Sequence, residues 1–171
     1  MRKIILGVAV SLDGFIEGPK GEYDWCFTDQ DYGLTDFSTG VDALFMGRKT
    51  YEITQKIEGK NPWSGITTYV FSNSLKETNH PEVKLISGDF ENKVKQLKSQ
   101  PGKNIWLFGG AELTSFFVNK NWVDEYWLSV HPVVLGSGKP LFQNLKERLN
   151  LKLTEHKVYT TGLVSLKYQP A

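Results

Sequence analysis

Four short, uninterrupted runs of apolar residues constrain the fold more than any other feature of this sequence. They are residues 4–10, 43–46, 69–71 and 105–108. A strand that is buried on one face alternates apolar and polar residues, whereas a strand buried on both faces is apolar throughout. The four runs therefore predict the central strands of a largely parallel sheet with helices on both faces.

Two segments between or after these runs have helical periodicity. Phe90, Val94 and Leu97 recur at the spacing of one helix face, and the apolar residues of 113–117 do the same. Since strands and helices alternate along the chain, the predicted fold class is α/β.

The C-terminal third has a different pattern. Val164, Leu166 and Tyr168 alternate with polar residues, and so do the residues of 151–154. Such alternation is typical of strands with one buried face, and residues 160–162 supply turn-forming side chains between them. We therefore expect an antiparallel hairpin at the end of a mostly parallel sheet.

Composition excludes several classes of function. Twenty Lys and Arg residues oppose nineteen Asp and Glu residues without a basic block, so neither nucleic acid nor a membrane is an expected partner. Cys26 is the single cysteine, and the three histidines are scattered, so we expect no disulfide and no metal site. The run 4–10 is too short for a signal peptide, which predicts a cytoplasmic protein, and residues 1–171 contain no linker-like segment, which predicts one domain.

Three strand ends carry residues suited to an anionic ligand. Gly109 and Gly110 open one helix, Arg48, Lys49 and Thr50 open another, and Ser72 and Asn73 form a polar turn. Each pattern alone is explained equally well by a tight turn or a capped helix. Because the carboxyl ends of parallel strands share one edge of the sheet, the three together predict a ligand with several phosphates, such as a dinucleotide.

Residues 11–25 form a long glycine-rich connection without the pattern of a helix or strand. Connections of this length in a small domain are often lids or binding loops. Asp29, Asp31 and Asp36 follow it, and each is a candidate acid. Each is also a candidate helix-start residue, so the pattern alone leaves all three open.

The order of these landmarks resembles the dihydrofolate reductase-like superfamily. The matching segments are 9–16, 46–52, 71–73, 107–110 and 132–142, which together span nearly the whole chain. They are most similar to the C-terminal reductase domain of the riboflavin biosynthesis protein RibD. This resemblance implies a three-layer α/β fold with a mostly parallel central sheet, an antiparallel C-terminal hairpin and a site for NADPH.

The resemblance also implies roles for individual residues. Arg48, Ser72 and Asn73 would hold the adenosine 2'-phosphate, Thr50 would support the phosphates, Gly109, Gly110 and Ala111 would line the pyrophosphate, and Ala9, Ile16 and Glu17 would border the nicotinamide. Gly47, Lys49, Phe108 and Glu112, which belong to the same motifs, are included among the expected cofactor contacts.

An ungapped count back from Gly47 places the family's substrate-binding carboxylate at Asp31, and Ser129 falls on the hydroxyl that supports it. Asp29 and Asp36 remain alternatives. The arginine that binds the glutamate tail of folate would fall near Ile66, where the sequence has no Arg, and Lys60 is the candidate substitute.

The resemblance thus implies an NADPH-dependent reductase of a small pterin- or pyrimidine-like heterocycle. One such reaction is that of 5-amino-6-(5-phosphoribosylamino)uracil reductase in riboflavin biosynthesis. Dihydrofolate reductase proper and a nucleotide-binding module without turnover are the alternatives. The resemblance also implies a homodimer through the C-terminal antiparallel part.

Overall fold

The alternation of strands and helices is present in the computed structural model, which describes residues 1–56, 64–78, 80 and 82–171. The strands are β1 (Ile4–Ser11), β2 (Phe15–Glu17), β3 (Val41–Gly47), β4 (Thr67–Phe71), β5 (Val83–Ile86), β6 (Asn104–Gly109), β7 (Glu125–His131), β8 (Lys139–Pro140), β9 (Leu151–Val158) and β10 (Val164–Pro170). The helices are α1 (Leu34–Thr39), α2 (Arg48–Thr54), α3 (Phe90–Ser99) and α4 (Ala111–Asn119).

Eight of these strands form one sheet in the order β5-β4-β3-β6-β1-β7-β10-β9. The pairs from β5 to β7 are all parallel, while β10 is antiparallel to both β7 and β9. The predicted α/β class, the parallel centre and the C-terminal hairpin are therefore confirmed. The four apolar runs occupy β1, β3, β4 and β6, which are interior strands of the sheet and carry its most buried residues.

The sheet is covered on both faces, which explains why those strands are apolar throughout. On one face, Val94 and Leu97 of α3 pack with Leu113 and Phe117 of α4. On the other face, α1 and α2 pack through Phe37 and Tyr51 against Leu44, Met46 and Trp106. Both helices predicted from periodicity, α3 and α4, are confirmed. Full burial of side chains of this size stabilises the fold by roughly 1.5–3 kcal/mol each.

The connection 11–25 differs from the expectation that it lacks regular structure. It contains β2, which pairs with β8 in a small antiparallel sheet. Backbone hydrogen bonds from Leu12 N to Val133 O (2.8 Å) and from Leu141 N to Gly14 O (2.9 Å) add to this pairing. The partner strand lies more than a hundred residues away in sequence, so local patterning could not reveal it.

Among the described residues, no helix is long and apolar enough to cross a membrane, and no group of three or more His, Cys, Asp or Glu side chains could hold a metal ion. The edge strand β9 is exposed along most of its length. A homodimer through this antiparallel part stays a prediction.

Candidate active site

A cavity of about 810 Å³ opens at the carboxyl ends of the parallel strands. It runs from the ends of β3, β4 and β6 to a floor formed by β1 and β7. This is the edge at which ligands of open α/β sheets bind, and the volume suits a ligand larger than a single ring system.

The ends of β3 and β4 are neighbours because Gly47 pairs with Phe71 in the parallel register. Arg48 and Ser72 directly follow these two residues, so both line the same end of the cavity. Arg48 Nη1 donates a hydrogen bond to Glu52 Oε1 at 2.7 Å. Both side chains of that ion pair are partly exposed, so the guanidinium is held by a partner that a bound anion could replace.

The polar turn after β4 is organised by its own side chains. Ser72 Oγ accepts hydrogen bonds from the backbone N–H groups of Ser74 (3.2 Å) and Leu75 (3.0 Å). Asn73 Oδ1 accepts one from Gly88 N at 2.8 Å. These bonds hold the turn in place at the cavity wall.

The glycine pair after β6 approaches α2 closely. Gly110 N donates to Thr50 Oγ1 at 2.9 Å, and a Cβ added at Gly110 would lie 3.0 Å from the same oxygen. Gly109 has a φ of 109°, a conformation that favours glycine, and the peptide bond between the two glycines is cis. Thr50 thus holds the glycine turn as well as lining the cavity, a contact that its motif did not predict.

The floor is built by paired residues of β1 and β7. Gly7 pairs with Trp127, and Ala9 pairs with Ser129. The indole of Trp106 lies across Gly7: its Nε1 donates to Gly7 O at 2.9 Å, and a Cβ on Gly7 would lie 2.7 Å from that nitrogen. Only glycine leaves room for this indole.

A buried histidine holds the segment that forms the opposite wall. His131 Nε2 accepts a hydrogen bond from Phe27 N at 3.1 Å, so Nδ1 carries the proton and donates to Ser129 O at 3.0 Å. Burial lowers the pKa of His131 below its usual value, which keeps the ring neutral and preserves this acceptor. His131 thus has a structural role, because it positions the wall next to Cys26.

The β1–β2 turn is clamped to the segment before β8. Asp13 accepts hydrogen bonds from Ser11 Oγ (2.7 Å), Leu135 N (3.1 Å) and Gly136 N (2.8 Å). The hydroxyl of Ser11, followed by these backbone N–H groups, holds the pKa of Asp13 below its ordinary value. The clamp places Glu17 of β2 at the cavity.

Glu17 forms an ion pair with Lys139 of β8, and both side chains line the cavity. A Cβ at Gly138 would lie 2.2 Å from Glu17 O, so a side chain cannot fit there. The glycine-rich segment 136–138 is therefore a close-packed support for β2.

The structure brings most of the sequence-predicted site residues together. Those that line the cavity are Ala9, Ile16, Glu17, Gly47, Arg48, Lys49, Thr50, Ser72, Asn73, Phe108, Gly110, Ala111, Glu112 and Ser129. Gly109 is buried behind Gly110 and does not line it. Lys60 lies outside the described residues.

Asp31 lies outside the cavity, at the start of α1. Its carboxylate accepts hydrogen bonds from Gly33 N (3.1 Å), Thr35 N (2.9 Å) and Thr35 Oγ1 (2.6 Å), and the Thr35 hydroxyl is the main cause that lowers the pKa of Asp31. These are the contacts of a helix-start residue. The ungapped count from Gly47 thus leads to a residue that is not part of the cavity lining.

The other two candidate acids are also absent from the cavity lining. Asp29 accepts a hydrogen bond from the Tyr32 hydroxyl at 2.7 Å, and Asp36 lies in the first turn of α1. The carboxylates that do line the cavity, among the described residues, are Glu17 and Glu112.

Sequence reasoning missed six of the apolar and aromatic residues that line the cavity. These are Tyr23 and Cys26 of the connection before α1, Leu34 of α1, Ile53 of α2, Trp106 of β6 and Trp127 of β7. One signal was available for Trp127, which precedes Ser129 by two residues and therefore points to the same face of β7. The same spacing relates Trp106 to Phe108 of β6. The other four reach the cavity through helix and loop placement that periodicity does not encode.

Comparison with known proteins identifies the family of this chain. The model of the family described as RibD C-terminal domain matches residues 2–165. The uncharacterized protein YyaP of Bacillus subtilis (strain 168) is 43% identical over 178 residues, which cover 98% of this chain and 94% of YyaP.

Solved structures show the same fold. A protein from Shewanella sp. PV-4 whose description assigns it to riboflavin biosynthesis is 27% identical, with a TM-score of 0.88 and coverage of 100% of this chain and 99% of that one. A diaminohydroxyphosphoribosylaminopyrimidine deaminase/5-amino-6-(5-phosphoribosylamino)uracil reductase from Thermotoga maritima is 17% identical, with a TM-score of 0.76. The similarity covers 99% of this chain and 57% of the Thermotoga maritima protein.

Proposed function

The chain belongs to the RibD C-terminal domain family, and on that premise we propose that it is an NADPH-dependent reductase of a small pyrimidine- or pterin-like heterocycle. A riboflavin biosynthesis protein and a pyrimidine reductase-like protein are among the structures that resemble this chain, and this likeness supports a reductase role. The cofactor and the substrate are the parts of this proposal that experiment must decide.

One observation carries the proposal. A single cavity contains both the three strand ends that are suited to phosphates and a floor formed by β1 and β7. The apolar surface of that floor is large enough to hold a ring. A reductase needs both parts, since the dinucleotide and the reacting ring have to meet in one space.

The residues present fit NADPH. Gly110 lies so close to Thr50 that the turn cannot carry a side chain there. The backbone of this turn can therefore approach a pyrophosphate directly. Arg48, with Ser72 and Asn73, would hold the 2'-phosphate, and Gly110 with Ala111 would line the pyrophosphate. The nicotinamide would be bordered by Ala9, Ile16 and Glu17. The remaining cofactor contacts would come from Gly47, Lys49, Phe108 and Glu112. Gly109 would contribute by shaping the glycine turn.

Bound NADPH would supply a hydride to the electrophilic carbon of a carbonyl, an imine or a ring C=N of the substrate. Ala9 keeps the floor flat, and the indole that covers Gly7 keeps it apolar, so a planar ring can lie against the sheet. The heteroatom that gains charge needs a proton, directly or through water. Glu17, with Lys139 beside it, and the Ser129 hydroxyl are the cavity groups that we assign to hold or deliver that proton.

Two alternatives are less well supported. Dihydrofolate reductase proper would need a substrate-binding carboxylate in the cavity near the start of α1. Asp31 instead accepts hydrogen bonds from the backbone and the hydroxyl of Thr35, and Leu34 lines the cavity. A nucleotide-binding module would bind NADPH but would not oxidise it with any acceptor that is offered.

The first experiment separates these functions. NADPH at about a hundred times its Kd should stabilise the protein by about 2.7 kcal/mol, which corresponds to a rise in Tm of about 5 to 10 °C. NADPH oxidation is then followed with a panel of pterins and pyrimidines, including 5-amino-6-(5-phosphoribosylamino)uracil. Unchanged Tm with millimolar NADPH would refute the reductase proposal, and binding without oxidation on the whole panel would favour the module.

A further inference from the structure

One part of the cavity lining consists mostly of aromatic and aliphatic side chains. We call it the aromatic chamber and define it by the lining residues Tyr23, Cys26, Leu34, Ile53, Trp106 and Trp127, with Ser129 on its floor. Phe37 packs behind both indoles, with ring centroids 4.9 Å from Trp106 and 4.4 Å from Trp127. The two indoles are therefore held in fixed positions.

The polar atoms of these indoles are used inside the protein. Trp106 Nε1 donates to Gly7 O at 2.9 Å, and Trp127 Nε1 donates to Ser165 Oγ at 2.7 Å. Since both N–H groups already have acceptors, the two side chains present hydrocarbon surface to a ligand. Burial raises the pKa of Cys26 to about 11, so the thiol in the same wall stays uncharged at neutral pH.

The charged side chains that line the cavity are paired. Lys49 pairs with Glu112, and Lys139 of β8 pairs with Glu17 of β2. Arg48 pairs with Glu52, which does not line the cavity. Among the described lining residues, every cation thus already has a carboxylate partner, and the residues that define the aromatic chamber include no cation.

The free-energy cost of moving an anion from water into such a chamber determines which ligands it binds. An ionised group that leaves water without a partner charge loses several kcal/mol, whereas a flat aromatic ring gains from apolar burial and from edge or offset contacts with indoles. We propose that the aromatic chamber binds an uncharged, planar heteroaromatic substrate and disfavours one whose phosphate or carboxylate would enter the chamber. This inference rests on the proposed function and narrows its substrate class.

Calorimetry on the protein saturated with NADP⁺ tests the inference without relying on turnover. The probes are two matched pairs, pterin with pterin-6-carboxylate and quinoxaline with quinoxaline-2-carboxylate, at neutral pH. In both pairs the charge is attached directly to the ring, so the seated ring brings it into the chamber. We expect the uncharged member of each pair to bind at least about tenfold more tightly, since tenfold corresponds to about 1.4 kcal/mol.

A variant with a cation in the wall should change this preference. Leu34→Lys places an ammonium at the first position of α1, which lines the cavity. We expect it to reduce the ratio between the two Kd values of each pair by about three- to tenfold. The matched control is Leu145→Lys, because Leu145 has nearly the same exposure (36% against 37% for Leu34) and does not line the cavity. The control should leave both ratios unchanged.

The outcomes separate the two levels of the proposal. Equal binding of charged and uncharged members, failure of both uncharged rings to bind the NADP⁺ complex, or the same shift in Leu145→Lys would each overturn the substrate class. If NADP⁺ itself gives no binding heat, the proposed function fails, and the inference fails with it.

Discussion

Arg48 offers the sharpest test of the nucleotide assignment, because its replacement should separate NADPH from NADH. Its guanidinium is 2.7 Å from Glu52, in an exposed i,i+4 ion pair that contributes only about 0.3–0.5 kcal/mol. Exchanging this partner for a phosphate costs little, while the charge-assisted hydrogen bonds gained are worth about 1.5–3 kcal/mol. Arg48→Ala should therefore weaken NADPH binding by roughly ten- to a hundredfold.

NADH has no 2'-phosphate, so its affinity should change by less than about twofold. The assay is a titration of both nucleotides by calorimetry or by quenching of tryptophan fluorescence. Glu52→Gln is the matched control, since it also breaks the ion pair but keeps the cation, and it should leave NADPH affinity the same or slightly higher. Equal losses for NADPH and NADH in Arg48→Ala would show that Arg48 does not recognise the 2'-phosphate.

Three further predictions follow from the cavity and its supports. Asp31→Ala should lower Tm but keep turnover within about twofold, and a loss of a hundredfold in a steady-state assay would return Asp31 to the active site. Gly7→Ala should displace the Trp106 indole, costing about 1–3 kcal/mol of stability in denaturant unfolding, and unchanged stability would contradict the packing described. Because burial lowers the pKa of His131 in the folded state, the unfolded chain takes up its proton first as pH falls below about 6.5, so stability declines with acidity. His131→Gln should flatten that decline in unfolding measurements across this range, and an unchanged slope would rule out the histidine as its source.

The end of the cavity that we propose for the nucleotide could be predicted from the sequence because its parts are local. Arg48, Ser72 and Gly110 each directly follow a strand that is visible as an apolar run. In a parallel sheet the carboxyl ends of the strands meet at one edge, so recognising the strands was enough to predict that these residues share a site. The structure places all three on one cavity.

The end of the cavity that we propose for the substrate could not be predicted from the sequence in the same way. Asp31 was chosen by counting along the chain, whereas the side chain that reaches the cavity from the start of α1 is Leu34. Which residue of a helix faces a cavity depends on where that helix begins and how it is rotated. The hydrogen bonds of Asp31 with Gly33 N and Thr35 N lie at this start, and no periodicity in the sequence encodes them.

The sequence by itself determined the layers of this protein, because burial on both faces requires apolar strands and helical periodicity requires one apolar face. Tertiary structure alone decided which distant segments complete the site. Asp13 binds the backbone of Gly136, and His131 binds the backbone of Phe27, across more than a hundred residues in each case. Each of these contacts joins a side chain to a backbone N–H, a group that every residue except proline carries. No residue type at the partner position marks them, so they exist only once the chain is folded.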